Sequence, residues 1–159
     1  MDISSLIGGI ILKMREYQKL NNIKGKCVDN TTYAARIINS NGGNIEAKSY
    51  IVISVETTPS TLIYGHLALN FKGDIIIEPS YEVFSIPNCV YFDNLKDVIP
   101  IISKNSTLDI KEIISRFLLF TKYAELINSG ETCYTEGEYI NKLDDYIEEY
   151  IKTTNFKRV

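Results

Sequence analysis

Leu62 to Ser80 reads LIYGHLALNFKGDIIIEPS, two apolar runs divided by Lys72-Gly73. In the first run Leu67 and Leu69 fall on one face and His66, Ala68 and Asn70 on the other, the period of a half-buried strand. The second run, Asp74 to Glu78, is β-branched at its centre, and Pro79-Ser80 closes it. Lys-Gly between two such runs predicts an antiparallel hairpin. If Phe71, Lys72 and Gly73 form a three-residue loop with Gly73 left-handed, Asn70 faces Asp74 and His66 lies directly opposite Glu78. A two-residue turn at Lys72-Gly73 moves that pairing by one position. Opposed residues have Cβ atoms about 4.5–5.5 Å apart on one face, so the hairpin brings the only histidine of the chain to a carboxylate. Small Ala68 beside His66 leaves room for a helix end to approach.

On either side of the hairpin the chain reads as sheet, and beyond that as helix. Tyr50 to Val55 is a short core strand, and Thr57-Thr58-Pro59-Ser60 has turn chemistry. Tyr81 to Ile86 and Cys89 to Phe92 read as further short strands around Pro87-Asn88. Upstream, Leu6, Ile7, Ile10, Ile11, Met14, Tyr17 and Leu20 mark one face of a helix from Ser4 to Leu20, weakened near its start by Gly8 and Gly9. A second helix opens at or just after Cys27 and carries Tyr33, Ala34, Ile37 and Ile38 before Asn41-Gly42-Gly43 stops it. Downstream, a largely buried helix runs from Leu108 to near Gly130. A final amphipathic helix follows, with Tyr139, Leu143, Tyr146, Ile147, Tyr150 and Ile151 on one side and acidic residues on the other. Helices, then sheet, then helices predicts an α+β fold. We expect one domain over residues 1–159, with a catalytic core at about 21–84 and a C-terminal helical part at about 106–153.

The composition fits an ordinary globule, 45% hydrophobic and 23% charged. A net charge of −3 argues against a nucleic-acid partner, which calls for a clustered basic face. The apolar stretch from Leu6 to Leu12 is too short to span a bilayer, and the acidic Asp2 does not suit a signal peptide. The three cysteines, Cys27, Cys89 and Cys133, have neither disulfide-framework nor metal spacing. These features predict an intracellular, reduced, cytoplasmic protein with no membrane partner, no cofactor and no metal. The oligomeric state is not legible.

Cys27 follows the polar stretch Asn21-Asn22-Ile23-Lys24-Gly25-Lys26 and opens a helix. The attacking species in thiol chemistry is the thiolate, which helix N-terminal N–H groups and a neighbouring imidazolium favour. A carboxylate on the far side of the imidazole fixes its tautomer and orientation. Cys27, His66 and Glu78 therefore form a candidate nucleophile, base and orienting acid. Cys89 and Cys133 read as small buried apolar residues.

The order of these residues resembles the transglutaminase-like branch of the papain-like superfamily, in which a Cys opens a helix, a His stands on a strand and an acid precedes Pro. The matching stretches are Lys26-Cys27-Val28-Asp29, Tyr64-Gly65-His66-Leu67-Ala68-Leu69 and Ile77-Glu78-Pro79-Ser80, within Asn21 to Phe84. Here the acid is Glu in place of Asp, and no tryptophan stands near Cys27 or His66. The chain is also similar to NlpC-type peptidases, without their Asp-Cys-Ser-Gly motif. The resemblance implies a nucleophile helix packed on an antiparallel sheet, and a thiol hydrolase or acyltransferase acting on an amide, peptide or isopeptide bond of a peptide or protein substrate. It also implies an oxyanion hole made by the Cys27 N–H and an amide side chain several residues upstream, which points to Asn21 or Asn22, with Gln18 one turn earlier. The alternative is a catalytically inactive interaction module of the same fold.

Overall fold

A left-handed pair, Lys72 at φ 58° and Gly73 at φ 85°, turns the chain between the two strands of the hairpin. In the computed structural model, which describes residues 2–55, 62–104 and 109–154, these strands are β2 (Leu62–Phe71) and β3 (Ile75–Ile77). Phe71 pairs with Ile75 and Leu69 with Ile77, so the loop is Lys72-Gly73-Asp74 and the expected register is corrected by two residues. The physical reason is where the left-handed pair begins. Starting at Lys72, it leaves Phe71 in the strand, with the Lys72 ammonium 5.0 Å from the Phe71 ring centre. Glu78 lies one residue beyond β3 and diagonal to His66, still on the same face.

The sheet is antiparallel, in the order β3-β2-β1-β4, with β1 at Ile45–Ser54 and β4 at Cys89–Phe92. β1 begins five residues before the predicted Tyr50. Two side-chain amides make this extension hold. Asn39 bonds both the N–H and the C=O of Ile45, at 2.9 and 3.0 Å, and Asn128 does the same for Ala47, at 2.7 and 3.0 Å. The edge that no strand covers is thereby satisfied.

Helices α1 (Ile3–Leu20), α2 (Cys27–Ser40), α5 (Ile110–Asn128) and α6 (Gly137–Lys152) bury one face of the sheet. Leu67, Leu69, Ile45 and Ala47 meet Leu6, Ile10, Ile38, Phe120 and Leu143 there. The architecture is α+β, as the order of elements predicted. Gly9 does not break α1; it lets another helix come close. A Cβ at Gly9 would fall 1.8 Å from the Tyr150 hydroxyl, so the glycine leaves room for that side chain of α6 to lie across α1.

Tyr81–Phe84, predicted as strand, is a one-turn helix, α3. Its β-favouring side chains are overruled by distant polar contacts. The Tyr81 N–H donates to the Gln18 amide oxygen at 3.0 Å, and the Arg15 guanidinium lies 3.7 Å from the Phe84 ring centre. Leu95–Ile102, for which the sequence pattern predicted no element, is α4. Asn94 caps it through Lys96 N–H at 2.8 Å, Val98 and Ile102 are buried one turn apart, and Pro100 stands on its exposed side. The predicted turn at residues 57–60 and the helix start at Leu108 lie outside the described residues. No helix among the described residues is long and apolar enough to cross a membrane.

Candidate active site

Cys27 is the first residue of α2, where the backbone N–H groups have no partner one turn back. No side chain caps this end. The helix is held by buried polar residues instead. Asp29 accepts from the Thr135 N–H at 2.5 Å and its hydroxyl at 2.6 Å, and Thr31 donates to the Leu67 carbonyl at 3.2 Å. Asn30 donates to Gln18 at 3.2 Å and to the Ser80 hydroxyl at 3.0 Å, and accepts from the Tyr139 hydroxyl. These bonds press the start of α2 against the outer edge of β2.

His66 is 3% exposed and Glu78 7%. His66 Nε2 lies 2.7 Å from Glu78 Oε1, and the other side of the ring shares a cavity with the Cys27 thiol. Burial is the largest single influence and disfavours the imidazolium, but the charge of Glu78 and the polar groups of Glu78 and Cys27 together outweigh it. The His66 pKa is therefore raised well above its ordinary 6.5.

Glu78 itself is held from three directions. Oε1 also accepts from the Tyr91 hydroxyl at 2.6 Å, and Oε2 accepts from the Ser80 N–H at 3.1 Å. Burial first, and Glu78 second, push the Tyr91 pKa up, so this phenol remains a neutral donor. The chain after Glu78 is clamped by Gln18, whose amide donates to the Pro79 carbonyl at 2.6 Å while accepting from Tyr81. Gln18 is buried and fully committed to these bonds. Gln18→Ala would remove one of the partners of Asn30 and the side-chain partner of both the Pro79 carbonyl and the Tyr81 N–H. We expect a loss of about 2–5 kcal/mol in unfolding free energy, measurable by urea denaturation.

Cys27 and His66 share a cavity of about 420 Å³ with Gly25, Tyr64, Glu82 and Arg116. The structure brings Cys27, His66 and Glu78 together and leaves Asn21 and Asn22 apart from them. Asn21 ends α1, its side chain donating to the Tyr17 carbonyl at 2.9 Å, and Asn22 turns the chain at φ 52°. Both are exposed and neither lines the cavity, because the helix end needs them as cap and turn. Their proposed oxyanion role is corrected accordingly. Sequence reasoning missed Asn30, Tyr91 and Ser80, and considered Gln18 for a different role. The available signal was polar residues on otherwise apolar faces: Gln18 beside Met14 in α1, and Asp29 to Thr32 at the start of α2.

Burial pushes the Cys89 and Cys133 thiols up, and each is half-buried. Among the described residues no three His, Cys, Asp or Glu side chains form a cluster able to hold a metal ion. Compared with known proteins, the chain matches no family model, no curated protein and no solved structure.

Proposed function

We propose that the protein is a cysteine-dependent hydrolase or acyltransferase acting on an amide, peptide or isopeptide bond, with a papain-like arrangement of Cys27, His66 and Glu78. The observation that carries this reading is the Cys27 thiol at a helix start, sharing a cavity with a buried imidazole that a buried carboxylate holds at 2.7 Å. In the first half-reaction the thiol proton stands on His66 as the imidazolium and the sulfur attacks the carbonyl carbon. A C–S bond forms, the C–N bond breaks, and the proton leaves on the amine. Water or an amine then attacks the thioester and restores the thiol. Glu78 stabilises the imidazolium that holds the proton until the amine leaves, and the Cys27 N–H is the first donor to the oxyanion.

Limited alkylation with iodoacetamide at mildly acidic pH tests the reading. Cys27 should be labelled roughly tenfold or more faster than Cys89 and Cys133, read by mass spectrometry of the digested protein. Slow, uniform labelling of all three would favour a non-catalytic interaction module.

A further inference from the structure

β3 ends at Ile77, opposite Leu69, so the part of β2 from Leu67 back to Leu62 has no strand on its outer side. The direction of the backbone groups there follows from β1. Asn39 and Asn128 bond both main-chain groups of Ile45 and of Ala47, which therefore point away from β2. Their partners in the ladder, Phe71 and Leu69, belong to the same alternating set as Leu67, Gly65 and Ile63. All of these turn their N–H and C=O groups to the outer edge. Leu67 confirms it, since its carbonyl accepts from Thr31 on that side. Among the described residues no hydrogen bond is recorded to the outward groups of Gly65 or Ile63, although both residues are buried.

This edge runs straight out of the Cys27–His66 cavity. A second cavity of about 320 Å³ continues along it past Ile63, sharing Tyr64, Gly65 and Arg116 with the first. Arg116 is the only Lys or Arg lining either one, and the second cavity also carries Asp109 and Glu112 at the start of the same helix. Its stem lies on Gly65, where a Cβ would come 2.8 Å from Arg116 Cγ, so glycine admits it. Among the described residues Arg116 has no carboxylate within ion-pair distance. Glu82, on another wall of the first cavity, is already engaged by the Gly25 N–H at 2.6 Å.

We infer that the acyl donor is an extended peptide segment that adds a strand to the outer edge of β2, bonding Gly65 and Ile63 through its main chain and presenting a carboxylate to Arg116. The assignment rests on the thiol-enzyme reading above and narrows its substrate to an extended stretch of chain with one acidic side chain, placed at Arg116. Strand addition satisfies a row of buried main-chain groups at once, and it bonds every second residue of the guest. It also delivers the next peptide carbonyl toward Cys27, at the end of the edge.

Peptidyl acyloxymethyl ketones, which alkylate a thiol nucleophile, test this directly. Labelling rates of Cys27 are read by intact-protein mass spectrometry, with iodoacetamide run in parallel. A tetrapeptide probe should react about tenfold or more faster than a capped single-residue probe. At one position Asp should outrun Asn several-fold, and Arg116→Ala should erase that preference. N-methylation of successive probe amides should slow labelling about tenfold at alternate positions and little between them. Equal rates for long and short probes, or slowing without alternation, would overturn the strand addition; an Asp preference that survives Arg116→Ala would overturn the role of that residue. If iodoacetamide itself fails to single out Cys27, the nucleophile reading falls and this one falls with it. If it succeeds and the peptides show no length dependence, only the strand edge is refuted.

Discussion

Cys27→Ala should remove turnover at an amide bond by about three to six orders of magnitude and leave the fold in place. The size of the loss follows from the chemistry: without the sulfur no thioester forms, and His66 and Glu78 have no nucleophile to serve. Retention of the fold follows from the packing. Cys27 is half-buried at the first position of α2, while the bonds that anchor the helix belong to Asp29, Asn30 and Thr31. Circular dichroism and the urea midpoint should therefore match the parent protein within about 1 kcal/mol. Peptide hydrolysis by the purified variant at a rate close to the parent's would show that another group performs the reaction. Cys27→Ser is the sharper control, because it keeps a hydroxyl of similar size and should be almost as inactive.

Glu78→Gln should lower turnover by about two to four orders of magnitude, with much less effect on substrate binding. Glutamine keeps the shape and an acceptor for His66 Nε2 but removes the charge that favours the imidazolium. The same substitution should change how stability depends on pH. The folded pKa of His66 lies above its unfolded value near 6.5. Its contribution to stability is therefore fully present below about pH 6.5 and declines as pH rises through the folded value, in the alkaline range. Urea midpoints of the parent should fall across that window, and those of Glu78→Gln should fall much less. Parallel pH profiles for the two proteins would show that the carboxylate does not hold the imidazolium.

The elements that local pattern controls were legible in the residues. Strand alternation separates Leu67 and Leu69 from His66, Ala68 and Asn70, and the helical stripe from Tyr139 to Ile151 is the buried face of α6. The nearness of His66 and Glu78 could be read through the turn because a shift of two keeps both on one face of the sheet. The register itself could not be read, since it depends on whether the left-handed pair begins at Lys72 or one residue earlier. Neither could α3, whose first N–H is held by a side chain 63 positions away. α4 was concealed by Pro100, which reads as a breaker although it sits on the outer side of a short helix. Asn21 and Asn22 illustrate a further limit. An amide upstream of a nucleophile and an amide capping a helix have the same spelling, and only the path of the chain separates them.

The anchoring of α2 has a consequence for the order in which the protein comes off the ribosome. Asp29 finds its donors only at Thr135, and Asn30 finds Tyr139 more than a hundred positions downstream. A nascent chain that has emerged as far as Asn128 contains every residue of the proposed triad, yet the helix carrying the thiol still has a buried carboxylate and an amide waiting for partners. The start of α2 therefore gains these buried partners only once the segment from Thr135 to Tyr139 has emerged. Ribosome-bound chains stalled after α5 should be cut by protease within the first forty residues, and chains extended past Tyr150 should resist.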